Sequence, residues 1–336
     1  MPDAAHDDPL RERLLAHVGR PMGNGPTVAP DPVNLPMIRH WCDALEDHNP
    51  VYLDEAAARG SRHRRVVAPP AMLQTWSMPR PVVTGIRERG GAPGAMDPDT
   101  PVAVLAAHGF PGTLATNSEL EFDRYLHLGE HLTSGAVLES ISELKGTGLG
   151  VGYFVTWVTT FATTDGEEVG RQRFRIFKFD PTRSAADLAP RAPRTAAATP
   201  AAAPAKQPGG PLPTFDLEVT PTVVVAGAIA SRDFMPVHHD RDFARAQGAP
   251  DVFMNILTTN GYLARYVTDW AGCEAVLTRL TIRLGAPSVP GRVLSFTGAI
   301  ADDRVVGDER LVEVAVRAAN DLGDHATGTV ELRLPR

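Results

Sequence analysis

The chain has 336 residues, enough for two ordinary domains. Its 43% hydrophobic and 22% charged residues are those of a soluble globular protein. A formal net charge of −7 argues against a broad nucleic-acid or anionic-membrane surface and leaves room only for a local basic pocket.

Cys42 and Cys273 form no CxxC pair, so neither a disulfide framework nor a zinc cluster nor another metal site is expected, and a reducing cytoplasm fits best. The N-terminus has acidic residues and no apolar core of signal-peptide length. No run of about 18 apolar residues occurs, so no membrane span is expected. In chain order, residues 9–18 predict a short amphipathic helix, read as a surface element or clasp. The stretch "LEDHNPVYLDEAAA" follows at 45–58, then the apolar, helix-like "APPAMLQTWSM" at 68–78, where Pro69 and Pro70 suit a first turn. Residues 79–116 form a Gly/Pro-rich insertion, long enough to be functional or disordered. Two β-rich runs within 152–179 flank an Asp165–Gly166 turn signal.

Residues 181–214 are rich in Ala and Pro, and they cannot bury a core. In polyproline II geometry this strap reaches about 100 Å, more than the width of a small domain. The predicted organisation is an N-terminal domain at 1–180, the linker, and a C-terminal domain at 215–336. The second domain carries "SRDFMPVHHDRDFA" at 231–244, in the same frame as 45–58. Next comes "VFMNILTTNGYLARYVTDWAG" at 252–272, apolar on most faces as in a buried helix. Val312, Val314 and Val316 then alternate with Glu313, Ala315 and Arg317, the period of a half-buried antiparallel strand. Each half therefore predicts one helix followed by a long antiparallel sheet, an α+β layout.

Asp233 and His238 stand five residues apart around Pro236, which stiffens the loop between them. Such a loop aims a carboxylate and an imidazole at one point, where they can hold a water, remove its proton and pass a proton to a neighbouring carbon. The plainer alternative is that Asp233 caps a helix and that His239 and Asp240 are a surface pair.

This frame resembles the (R)-specific enoyl-CoA hydratase, or MaoC-like, family, whose motif is Asp-x-Asn-Pro-x-His. Residues 231–244 keep Asp233 and His238 with Met235 in place of Asn; residues 45–58 keep Asp47, Asn49 and Pro50 with Tyr52 in place of His. A tyrosine titrates near about 10 and is a poor base at neutral pH. The resemblance implies a double hotdog fold, with a degenerate first half kept for shape and a working site in the second. Most of residues 216–334 further resemble the small catalytic subunit of the actinobacterial steroid side-chain hydratases, and the N-terminal half resembles the MaoC-type domain of their larger subunit.

That resemblance implies water addition to the side-chain double bond of a steroid acyl-CoA thioester of the 3-oxo-pregnadiene-carboxyl type. Coenzyme A is then part of the substrate, and no separate cofactor is expected. Asp233 and His238 are the expected catalytic pair. Backbone N–H groups near Gly248–Asn255 are the expected oxyanion hole, with the Asn255 side chain either at the site or a core amide. Arg62 and Arg65 of "RGSRHRRVV" are candidates for the coenzyme A phosphates, as are Arg171, Arg173, Arg175, Arg279 and Arg283. Trp76, Met78, Phe110 and the 79–116 insertion are candidates for the wall of a steroid cavity, or else ordinary core. Two fused chains are expected to associate as a homodimer. The competing readings are a dehydratase of a shorter or carrier-bound acyl chain, a hotdog thioesterase, and a non-catalytic acyl-CoA binder.

Overall fold

The computed structural model describes residues 8–94, 97–184, 186 and 210–336. The N-terminal half opens with α1 (Pro9–Leu15), β1 (Thr27–Val28), α2 (Leu35–Leu45), α3 (Pro50–Leu53) and α4 (Glu55–Gly60). A 3-10 turn at Pro70–Met72 runs into α5 (Leu73–Ser77), followed by α6 (Pro101–Ala107). Its strands are β2 (Gly112–Phe122), β3 (Leu132–Ile141), β4 (Lys145–Thr147), β5 (Gly150–Thr163) and β6 (Glu168–Asp180). The C-terminal half contains β7 (Phe215–Val219), α7 (Pro221–Ala230), a 3-10 turn at Pro236–His238, α8 (Arg241–Ala246) and α9 (Ile256–Ala271). It closes with β8 (Val276–Leu284), β9 (Arg292–Val306), β10 (Glu309–Asn320) and β11 (Gly323–Pro335). Of the Ala/Pro-rich strap, residues 185 and 187–209 lie outside the described residues.

The strands form one antiparallel sheet in the order β1-β3-β5-β6-β2-β8-β11-β10-β9-β7, with β4 hairpinned onto β5. The halves meet where β2 pairs β8, Asn117 opposite Arg283 and Glu121 opposite Arg279. The two hotdog units therefore pair within one chain. The alternation expected in the last strands is present, with Val312, Val314 and Val316 buried on the helix-facing side. Gly166 takes a left-handed φ of +92° in the β5–β6 turn, a conformation glycine adopts without steric penalty. No helix among the described residues is long and apolar enough to cross a membrane.

The expectation of a long helix in each half holds only for the second. α9 runs for 16 residues along the sheet, with nearly every face buried. Its N-terminal counterpart ends at Ser77, with Met78 already extended at φ −62°, ψ 129°. Pro79 is the reason: its ring disfavours the helical region for the residue before it. Prolines thus bracket this helix on both sides.

Candidate active site

The two acidic frames have the same backbone. A helix (α2 or α7) ends, and the next residues include one in left-handed geometry, Glu46 at φ +51° or Arg232 at φ +61°. The aspartate N–H then donates five residues back, Asp47 to Cys42 O and Asp233 to Ala228 O, both at 2.9 Å. The aspartate Oδ1 accepts the N–H two residues on, from Asn49 at 3.0 Å or Met235 at 3.3 Å. Tyr52 N–H donates to Asn49 O and His238 N–H to Met235 O, both at 3.1 Å. Asp54 and Asp240 each cap the next helix, α4 or α8. The repeat read in the sequence is a repeat of hydrogen bonds.

The side chains of the second frame converge. His238 Nε2 lies 3.3 Å from Asp233 Oδ2. His238 Nδ1 is 2.7 Å from Phe253 O, and a carbonyl accepts only, so the Nδ1 proton is fixed and the neutral ring leaves Nε2 as acceptor. Phe253 also packs edge-on against the imidazole. Asn255 Nδ2 donates to Asp233 Oδ2 at 3.0 Å and to Ser231 Oγ at 2.9 Å, while its Oδ1 caps α9 by accepting Thr258 N–H at 2.8 Å. Burial alone would raise the Asp233 carboxyl. Protonated His238, Asn255 and the Met235 N–H outweigh it and hold this acid below the ordinary carboxylate range. The Asp233 side chain keeps 19% exposure, so a small molecule can reach it. The first turn of α9 supplies the N–H groups of Ile256 and Leu257, which have no carbonyl within the helix to donate to.

The first frame carries no such pair. The Tyr52 phenol is buried and donates to Tyr125, whose oxygen also accepts Leu277 N–H at 2.9 Å. Burial pushes Tyr52 well above its ordinary value. Asp47 is 4% exposed, and burial raises it to about 6 despite the Asn49 N–H. These residues tie the halves together.

Several expected site residues sit elsewhere. Gly248 ends α8, exposed at φ +89°, and its N–H donates to Arg245 O at 2.9 Å, so it is no oxyanion donor. Arg62 is engaged by Glu309 and by Glu274, whose carboxylate accepts the Arg62 N–H at 3.1 Å. It is a clasp between the halves. Arg65 is exposed. Arg171 and Arg173 lie on the outer face of β6, paired with Glu168 and Glu139, while Gln172 and Phe174 face inward. Arg279 pairs with Glu119 across the β2–β8 seam. Arg175 lies over the Phe154 ring, 4.2 Å from its centroid. Trp76 is core at 2% exposure, and Phe110 packs edge-on against Tyr153. Met78 does line a cavity, of about 190 Å³, together with Gln74, Ser77, Trp157 and Gln172. This cavity lies beside the shortened α5. It shares no lining residue with the Asp233–His238 pair. The partners missed in the sequence are Ser231, whose hydroxyl gives no spacing signal, and the Phe253 carbonyl, which every residue type carries.

A family model described as FAS1-like, dehydratase domain region, matches residues 16–172. The probable enoyl-CoA hydratase alpha subunit of Thermomonospora curvata is 42% identical over 181 residues, 52% of this chain and 53% of that protein. The chain thus spans about half the length of that relative. The 3-oxo-4,17-pregnadiene-20-carboxyl-CoA hydratase beta subunit of Mycobacterium tuberculosis is 45% identical over 126 residues, 38% of this chain and 95% of that subunit. A solved structure described as a MaoC-like dehydratase superposes with a TM-score of 0.69, covering 96% of this chain and 99% of that one. At 22% identity that likeness is one of fold.

Proposed function

This chain belongs to the MaoC-like dehydratase family, and from that premise we propose that it adds water across the double bond of a 2-enoyl-CoA thioester. The observation that carries the reading is the convergence of His238 Nε2 and Asp233 Oδ2 beside the N-terminus of the buried α9. A water within hydrogen-bond reach of both atoms is oriented by the ionised Asp233. His238 Nε2 removes its proton as the water oxygen bonds the β-carbon. The π electrons move toward the thioester oxygen, where the Ile256 and Leu257 N–H groups and the helix dipole stabilise the charge. The imidazolium then returns a proton to the α-carbon, so the net change is one H and one OH added. The Asp233 carboxylate, 3.3 Å from Nε2, stabilises the imidazolium that forms. Asn255 holds Asp233 at the head of the same helix that supplies the oxyanion donors, which keeps water and carbonyl in register.

The substrate class we favour is a steroid side-chain enoyl-CoA. The named activity of the Mycobacterium tuberculosis beta subunit supports it. The alpha and beta subunits of the relatives are separate chains, and the β2–β8 pairing supports the reading that this chain fuses both roles.

The test is loss of the conjugated enoyl-thioester absorbance over a series from short linear to steroid chains. Asp233→Asn and His238→Ala are expected to lose about 10²–10⁴-fold in kcat, the range for a general acid–base group. Tyr52→Phe is expected to stay within a few-fold. Full activity in either of the first two variants would remove the site. Faster turnover of short linear chains than of steroid chains would remove the steroid reading alone.

A further inference from the structure

We propose that the loop at 79–94 of the N-terminal half is a brace that sets the catalytic loop of the C-terminal half, with Gly91 as its positioning residue. This rests on the reading of Asp233 and His238 as the reacting pair. Gly91 is buried, at φ +92°, and its N–H donates to Ile86 O at 2.8 Å. A Cβ at this position would lie 2.9 Å from Met235 Cγ and 3.2 Å from both Met235 Cε and Pro236 Cδ. The loop backbone therefore rests directly on the two residues between Asp233 and His238. Met235 is the tie between the pair: its N–H donates to Asp233 Oδ1, and its carbonyl accepts His238 N–H. Displacing Met235 moves the carboxylate and the imidazole relative to each other.

The brace is itself rigid. Arg89 folds back to donate to Thr84 O at 2.9 Å, to Ala92 O at 3.4 Å and to Val82 O. Val82 N–H donates to Pro93 O at 2.7 Å, closing the loop, and Ile86 is buried beneath it. A second contact lies further along the catalytic loop. Arg87 pairs with Asp240 at 2.9 Å and lies over the Phe243 ring. Asp240 caps α8, and its N–H donates to Pro236 O at 2.7 Å. On the other flank, Asp31 of the N-terminal half faces Arg232, next to Asp233, at 3.8 Å and Arg80 at 3.2 Å. The Arg87 side chain is 55% exposed, and exposed ion pairs hold geometry weakly. The steric seat of Met235 and Pro236 on Gly91 is the stronger constraint. The degenerate half thus contributes to the chemistry by position.

The decisive comparison is Gly91→Ala against Gly90→Ala. Both glycines have positive φ, +67° at Gly90 and +92° at Gly91, so both variants carry left-handed strain. Nothing lies within 4 Å of a Cβ at Gly90, whereas one at Gly91 meets Met235. Gly91→Ala is expected to lower kcat tenfold or more at a KM within twofold, since misplacement near 1 Å can cost about 10²-fold. Gly90→Ala is expected to stay within twofold. Adding Met235→Ala, which removes the two nearest Met235 atoms, is expected to recover much of the loss in Gly91→Ala. Native-state hydrogen exchange of the amides of 233–240 reads the same displacement without substrate, and is expected to be faster in Gly91→Ala than in Gly90→Ala. Equal kcat and equal exchange in the two variants would overturn the brace. A wild type inactive on every enoyl-CoA would remove the proposed function, and the exchange comparison would still decide the brace. Should Gly91→Ala fail to fold, Met235→Ala alone empties the seat on Gly91. It is expected to speed exchange of the amides of 233–240, and exchange unchanged from wild type would overturn the proposal.

Discussion

Two aspartates in one backbone frame meet opposite fates. Asp233 has an imidazolium when His238 is protonated, a side-chain amide and a backbone N–H to stabilise its anion, and it is held low. Asp47 has the same backbone N–H, faces Asp269 as a like charge, and is held high, at about 6, mainly by burial. A carboxyl whose folded value exceeds its ordinary 3.8 favours the folded state fully below that pH, and this contribution is lost as pH rises through about 6. The difference amounts to roughly 3 kcal/mol, at about 1.4 kcal/mol per tenfold. Asp47→Asn keeps an acceptor for the Asn49 N–H and removes the titration. Its stability relative to wild type is expected to improve steadily between pH 4 and pH 7.5 in urea unfolding, and a pH-independent difference would contradict the burial argument. Asp233 and His238 were legible in the sequence because their chemistry belongs to their side chains and Pro236 stiffens the chain between them. The Phe253 carbonyl that fixes the imidazole tautomer was not, since any residue offers one. Gly248 was misread because closeness in sequence to the buried helix says nothing about which N–H groups already have partners.

At the level of elements, the central helix is packed by close backbone crossings. A methyl on Gly261 would overlap Leu45 Cδ2 of α2 and lie 2.7 Å from Trp41 Cζ2, both fully buried side chains. A methyl on Gly227 of α7 would overlap Thr258. Ala gains about 1 kcal/mol over Gly in a helix, whereas overpacking a filled core costs about 1–3 kcal/mol. Gly261→Ala is therefore expected to destabilise. Gly60→Ala, at the end of α4 with no atom within 4 Å, is expected to be neutral or mildly stabilising. Denaturant midpoints check the pair, and a stabilised Gly261→Ala would mean that α2 and α9 are not packed this closely. The apolar run at 252–272 announced a buried helix because no polar face was left for water. The run at 68–78 announced a helix equally well. Its early stop turned on Pro79, one residue past the stretch, a local steric rule that outweighs hydrophobic pattern. The seats of α2 and α7 on α9 are tertiary facts that no single stretch encodes.

For the whole molecule, the strap raises the question of what holds the halves together. The described residues answer that it is the interface. Five residue pairs join β2 to β8, from Asn117 opposite Arg283 to Glu121 opposite Arg279. Arg279 reaches Glu119 and Glu121 across that seam. Beneath the sheet, Asn260 Nδ2 of α9 donates to Ser118 Oγ at 3.2 Å, which Gln172 also reaches from β6. Tyr125 accepts Leu277 N–H, Arg265 donates to Leu45 O, and Arg62 bridges to Glu274 and Glu309. Buried apolar side chains of both halves form one cluster, including Trp41 and Leu45 with Tyr262 and Leu263. An interface of this kind resembles a domain core cut in half, and its apolar burial holds the halves together. The role of the strap is then kinetic and entropic: it raises the effective concentration of one half for the other during folding. A protease site placed near residue 198 and cut after folding is expected to leave two fragments that co-elute in gel filtration and match the uncut chain in the proposed enoyl-CoA assay. Refolding the cut protein from urea should become concentration-dependent, while the intact chain's stays independent. Fragments that part on cutting under native conditions would mean that the covalent link, and not the β2–β8 seam with its buried polar rungs, makes this one molecule.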